Sequence, residues 1–226
     1  MRRRLRRRAL RLAFHVLGAC VVGSVLLVLP WRWLPPPTTA FMLESQQLRG
    51  SAPVHHWVPR ARISSNLARC VVAAEDQKFP SHHGFDVQSM WHAVQQHPRK
   101  PRGASTLSQQ VAKNLYLWPG RSLLRKGLEA WLTGWIELLW PKGRILEVYL
   151  NVAEFSPGVF GAEAASRRAF QMPADRLSLH QAALLTAVLP SPRRMSAARP
   201  SDYVQQRARE IESEARRLGP GHLAGI

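Results

Sequence analysis

"RSLLRKGLEAWLTGWIELLW", residues 121–140, is the stretch that decides the fold. Leu128, Trp131, Leu132, Trp135, Leu138 and Leu139 recur at three- and four-residue steps and make a broad apolar stripe. Arg125, Glu129 and Thr133 follow one another at four-residue steps along the opposite side. That is the period of an amphipathic helix; a half-buried strand would alternate at every second residue. Pro141 breaks the helix and "KGRILEVYLN" resumes it. Taken alone, Arg125 and Glu129 make an i,i+4 ion pair worth about 0.3–0.5 kcal/mol. Trp118, Trp131, Trp135 and Trp140 crowd the same region, either as core or as a surface that dips into lipid headgroups.

Outward from this helix the same period recurs. Ser64-Ser65 is positioned to cap a helix ending near Phe79, Asp86 to cap "VQSMWHAVQQH", and Ser105 to cap "TLSQQVAKNLYL". Further helices are expected near 159–170, 178–189 and 201–217, with "PRKPRGA" (98–104) a loop. No run of strict alternation appears, so the expected class is all-α.

The first eleven residues carry seven arginines, and Leu12–Leu29 is apolar apart from one histidine and one serine. Such a run reaches the lower limit for crossing a bilayer. No A-x-A-like site closes it, and "PWRWLPPP" supplies interfacial tryptophans and a stiff exit, so an uncleaved anchor is favoured over a signal peptide. The division expected is a cytoplasmic basic tail (1–11), a transmembrane anchor (12–30), a proline-punctuated linker (31–62) and a catalytic domain (63–226). Arginine-rich flanks stay inside, which places the domain across the cytoplasmic membrane. Cys20 falls in the anchor and Cys70 in a helix, so no disulfide is expected. Without the seven arginines, 25 basic residues still face 14 acidic ones. That surplus calls for an anionic partner, and the expected location makes it lipid headgroups or a phosphorylated substrate in place of nucleic acid.

Three faces carry chemistry. The stripe helix supplies Arg125 and Glu129. Thr106, Gln110 and Lys113 share one side of the helix after Ser105, where hydroxyl and amide groups beside one lysine suit a sugar or phosphate better than bulk water. In "AAEDQKFPSHHGFD" (73–86), an apolar helix bearing Leu67, Val71 and Val72 runs into Glu75-Asp76, with His82-His83 following. These residues fit no metal-ligand spacing with a mechanism behind it, and one of the histidines reads as structural. A carboxylate ending an apolar helix, with cations nearby to steer substrate, is how a general base is built.

In this order the segments resemble the five motifs of the peptidoglycan glycosyltransferases (glycosyltransferase family 51), in the monofunctional, membrane-anchored form of Gram-negative bacteria. "EDQKFPSHHGFD" is similar to the first motif, "RGASTLSQQVAKNLYL" to the second and "RKGLEAWLTGWIELLWPKGRILEVYLN" to the third. "GVFGAEAASRRAF" and "LSLHQAALLTAVLPSP" are similar to the fourth and fifth. The resemblance implies an all-helical fold with a lysozyme-like lobe and a smaller hydrophobic lobe associated with the membrane. The implied activity is polymerisation of lipid II into β-1,4 glycan strands, with inversion and release of undecaprenyl pyrophosphate. By motif it implies Glu75 and Glu129 as catalytic carboxylates, and Asp76, Phe79, His82, Thr106, Gln110, Lys113, Arg121 and Arg125 as substrate-binding residues. It further implies no dedicated cofactor beyond a divalent cation (Mg or Mn). The implied partners are lipid II, the growing glycan strand, the membrane and cell-division or cell-wall synthesis proteins, and the implied address is the inner membrane with a periplasmic domain. Gln181 departs from a common glutamate, and Pro141 interrupts a helix that many relatives leave unbroken. A lytic lysozyme-like enzyme and a non-catalytic division scaffold are the competing classes. A transpeptidase is excluded, because neither S-x-x-K nor K-T-G occurs.

Overall fold

Helix-starting side chains and helical periodicity shape most of this chain, whose computed structural model describes residues 2–96, 105–120 and 122–226. The helices among them are α1 (Arg2–Val28), α2 (Ala40–Arg49), α3 (Ser65–Glu75), α4 (Val87–Gln96), α5 (Leu107–Tyr116), α6 (Leu123–Leu139), α7 (Lys142–Val152), α8 (Ala162–Phe170), α9 (Leu179–Val188) and α10 (Asp202–Leu218). The loop expected at 98–104 and the site residue Arg121 lie outside the described residues.

Caps account for most boundaries. Ser64, Ser122, Ser178 and Ser201 each accept a first-turn amide of α3, α6, α9 and α10, and Asp86 accepts from Ser89 at the start of α4. The cap of α5 is Thr106, one residue later than expected, because its hydroxyl and the Gln109 amide form a reciprocal capping box. Gln181 plays the same part for Ser178, so an amide does there what a glutamate would do. Pro141 is the N-cap of α7, where its missing N–H costs nothing.

Two features were not expected from the sequence of this mostly helical chain. Residues 31–62, read as linker, contain α2, capped by Thr39 and closed by left-handed Gly50. Three short strands, β1 (Val54–His55), β2 (Glu154–Ser156) and β3 (Val159–Phe160), form a sheet of order β1-β3-β2, with β1 parallel and β2 antiparallel to β3. Asn151 stitches the chain after β1 to α7. Its side-chain amide accepts from Val58 N–H and donates to Val58 C=O, both at 3.0 Å.

α3, α9 and α10 pack as one group, and α5 packs between α6 and α7 as another. In α6 the sequence left open whether the apolar stripe is core or surface, and the structure divides it. Glu129, Leu132, Thr133 and Ile136 are buried, whereas Leu128, Trp131 and Leu138 are exposed. The apolar face turns toward α1, which together with the 3-10 turn that follows it forms a segment, Leu10–Arg32, long and apolar enough to cross a membrane. Trp131 Nε1 donates to Ser24 Oγ (2.8 Å) and Trp140 Nε1 to Val28 C=O (3.1 Å). The Arg144 guanidinium reaches Trp31 C=O (2.9 Å) and Leu34 C=O (2.6 Å). The anchor therefore leaves its helix fastened to the domain.

Candidate active site

α3 is apolar along its buried side until its last residue, Glu75, and the chain then turns. Asp76 points inward from that turn. Its Oδ2 accepts from Leu107 N–H at the start of α5 (2.9 Å), and both oxygens face His82 Nε2 at 2.9 and 3.0 Å. His82 Nδ1 accepts from Gly84 N–H (3.0 Å), so Nε2 is the nitrogen that donates to Asp76. Gly84 has φ +89°, and its carbonyl accepts from the Thr106 hydroxyl (2.7 Å). Phe79 is fully buried, edge-on to His82 and 4.6 Å from the Lys142 ammonium. Lys142 in turn bonds Glu137 (2.8 Å), to which Ser108 also donates.

Asp76, Phe79, His82 and Thr106 thus form an inner frame whose polar atoms serve one another. Its product is a fixed Glu75. Gln110 Nε2 donates to Glu75 Oε2 (2.8 Å), and Gln110 Oε1 accepts from the Tyr149 hydroxyl (3.4 Å). Burial, reinforced by the Glu75 charge, pushes the Tyr149 phenol well above its usual range, so it stays a donor and fixes the orientation of the amide. Glu75 Oε1 accepts no hydrogen bond among the described residues, and the side chain is half-buried.

Glu75 lines one cleft and Gln110 another. The first, of about 260 Å³, is lined by Glu75, Asp76, Lys78, Ser105 and Thr106. The second, of about 480 Å³, holds Phe41, Gln110, Lys113, Tyr149, Arg193 and Arg194. Lys113 makes no hydrogen bond or ion pair among the described residues, and its ammonium lies 5.5 Å from the Phe41 ring centroid. Burial lowers its pKa, Glu129 and Glu75 oppose that, and Arg125 and Lys126 add to it. Arg193 is held by Glu154 (3.1 Å) and Glu44 (3.8 Å), while Arg194 is exposed and has no ion pair among the described residues.

Glu129 is buried and carries two cations, Arg125 NH1 at 2.9 Å and Lys126 Nζ at 2.5 Å. Arg125 Nε is buried and has no acceptor among the described residues. The carboxylates do not suit a resident divalent cation. Glu129 and Asp76 are committed to protein donors, and no group of three or more His, Cys, Asp or Glu side chains among the described residues could hold a metal.

Tyr149, Phe41, Glu44 and Arg194 were not singled out from the sequence. Tyr149 carries a signal, being the one hydroxyl among the buried apolar side chains Ile145, Leu146, Val148, Leu150 and Val152 of α7. Phe41 and Glu44 carry none, since they sit in a stretch read as linker.

A family model described as Transglycosylase matches residues 43–216. A biosynthetic peptidoglycan transglycosylase of Pseudomonas fluorescens is 55% identical over 206 residues, covering 88% of this chain and 86% of its own. Proteins of the same description from Pseudomonas putida and Stutzerimonas stutzeri are 54% and 53% identical, over 90% and 88% of this chain and 89% and 85% of theirs. With most of the chain inside the family model and more than half of the aligned residues identical, this chain belongs to the transglycosylase family.

Proposed function

We propose that this protein is a monofunctional peptidoglycan glycosyltransferase that polymerises lipid II with inversion and releases undecaprenyl pyrophosphate. The observation that carries the reading is the position of Glu75: it lines the first cleft, one oxygen is held by Gln110 of the second cleft, the other accepts no hydrogen bond among the described residues, and the second cleft contains Lys113, which has no ion pair among them. The acceptor sugar occupies the first cleft. Its 4-hydroxyl is a poor nucleophile until Glu75 Oε1 takes its proton as the bond to the donor's anomeric carbon forms. The donor's lipid pyrophosphate occupies the second cleft, on the opposite face of the reacting carbon as inversion requires. The departing pyrophosphate gains negative charge, which Lys113 and Arg194, both lining that cleft, stabilise, with Arg125 added by motif. Arg121 extends this surface by motif. Glu129 acts through the cations it orients. A divalent cation would enter as counter-ion of the pyrophosphate.

The address that serves this chemistry is the inner membrane, crossed once, with the domain on the periplasmic side where lipid II presents its sugars. The seven arginines before Leu12 support that orientation. Cell-wall synthesis or division proteins are candidate partners.

The test is incubation of the detergent-solubilised full chain with labelled lipid II. Polymer is expected, and Glu75→Gln should abolish it. Cleavage of preformed glycan without polymer would assign a lytic enzyme, and neither product would leave a scaffold. A reporter active only in the periplasm, fused after Ile226 through a flexible spacer, should be active; an inactive one places the domain away from the substrate's sugars.

A further inference from the structure

α2 follows the anchor's exit by only a few residues, yet it forms one wall of the second cleft. Its inner side buries Met42 and Ser45, and Glu44 of the same helix reaches Arg193. Between them Phe41 presents its ring to the Lys113 ammonium at 5.5 Å from the centroid. Most other cations of this region have carboxylates: Arg125 and Lys126 have Glu129, Lys142 has Glu137, and Arg193 has Glu154, while Arg194, which has none among the described residues, is exposed to solvent. Lys113 has none among the described residues, and half-buried beside α3, α6 and α7 it would ordinarily seek one. An aromatic face attracts a cation without neutralising it, so the ammonium is steadied while its full charge stays available to an incoming anion.

We infer that Phe41 is a positioning residue for the diphosphate site: its ring holds Lys113 aimed into the second cleft, so the segment between anchor and domain is part of the donor-binding machinery. This rests on the reading of the second cleft as the diphosphate side of the reaction. It predicts that removing the π face weakens diphosphate binding with little change in the chemical step.

Two measurements on the full chain in detergent test it. In lipid II polymerisation, Phe41→Leu should raise KM about three- to thirty-fold, the range of a partly desolvated cation–π contact, with kcat within about twofold. Phe41→Tyr, which keeps the face, should stay within about twofold of the parent in both. Titration with undecaprenyl diphosphate, which needs no turnover, should show the same order: parent and Phe41→Tyr alike, Phe41→Leu weaker. Leu43→Ala, on the exposed side of α2, controls for general damage to the helix and should bind as the parent does. Polymerisation by the parent, with Phe41→Leu unchanged in both KM and titration, overturns the inference and leaves the function standing. A parent that binds the diphosphate in a Phe41-dependent way but makes no polymer overturns the function and keeps the inference. A parent that does neither overturns both.

Discussion

Asp76→Ala isolates what the inner frame does for Glu75. The Asp76 side chain is nearly buried and accepts from two donors that no other group serves, Leu107 N–H at 2.9 Å and His82 Nε2–H at 2.9–3.0 Å. Alanine leaves both donors buried and unmatched. Each orphaned donor costs about 1–3 kcal/mol, so destabilisation of about 2–6 kcal/mol is expected. Loss of a negative charge from the start of α5 adds about 0.3–1 kcal/mol. The assay is urea unfolding of the detergent-solubilised protein, followed by tryptophan fluorescence. A double-mutant cycle with His82→Ala should return a coupling of about 1–3 kcal/mol, because once His82 is gone only the Leu107 donor remains for Asp76 to satisfy. Kinetics make a second demand. If Asp76 works by holding its neighbour Glu75, kcat falls while KM for lipid II stays nearly constant; if it binds substrate directly, KM carries the loss. Additive single effects in the cycle, destabilisation below about 1 kcal/mol, or a change confined to KM would refute the frame.

Lys113→Met should raise the unfolding midpoint while abolishing donor use, since a half-buried cation with no ion pair among the described residues costs stability in its charged form. Burial lowers the folded-state pKa of Lys113 below its unfolded value, so the folded chain sheds this proton first, and stability should rise with pH through the interval between the two values. Activity should move the opposite way, with an alkaline loss of kcat/KM beginning below the ordinary lysine range and displaced upward in Lys113→Arg; identical profiles would contradict the role. Gly84→Ala should destabilise by about 1–3 kcal/mol in the same urea assay, because φ is +89° and the new Cβ would lie 2.9 Å from Glu137 Cγ. Arg144→Gln should release the anchor's exit, read as faster proteolysis of residues 31–39, since it removes the guanidinium held against Trp31 and Leu34 carbonyls.

Much of this protein is determined over four residues at a time. Ser64 and Asp86 mark helix starts from sequence because capping joins a side chain to an amide two or three residues away. The length and apolar character of α1, the break at Pro141 and the motif order are equally local. Glu75, Gln110 and Lys113 are nameable as candidates for the same reason: an odd carboxylate ends an apolar helix, and an amide and a lysine share one helical face.

What the sequence left open is what depends on distance. The strands are two or three residues long and owe their existence to pairing such as Val54 with Val159, so no local alternation announces them. α2 needed Phe41 to find Lys113 of α5 before its proline-flanked stretch could read as anything but linker. In α6 periodicity located two faces but not which one is inside. A polar side enters the core only when it brings its counter-charges, as Glu129 does, and an apolar side faces outward only when a membrane anchor lies beside it. The site itself joins Glu75 to Gln110 across 35 residues and Gln110 to Tyr149 across 39. Neither bond has a sequence signature, because a hydrogen bond between helices is set by how their packed faces bring two side chains within 3 Å or so, and only the tertiary fold decides that.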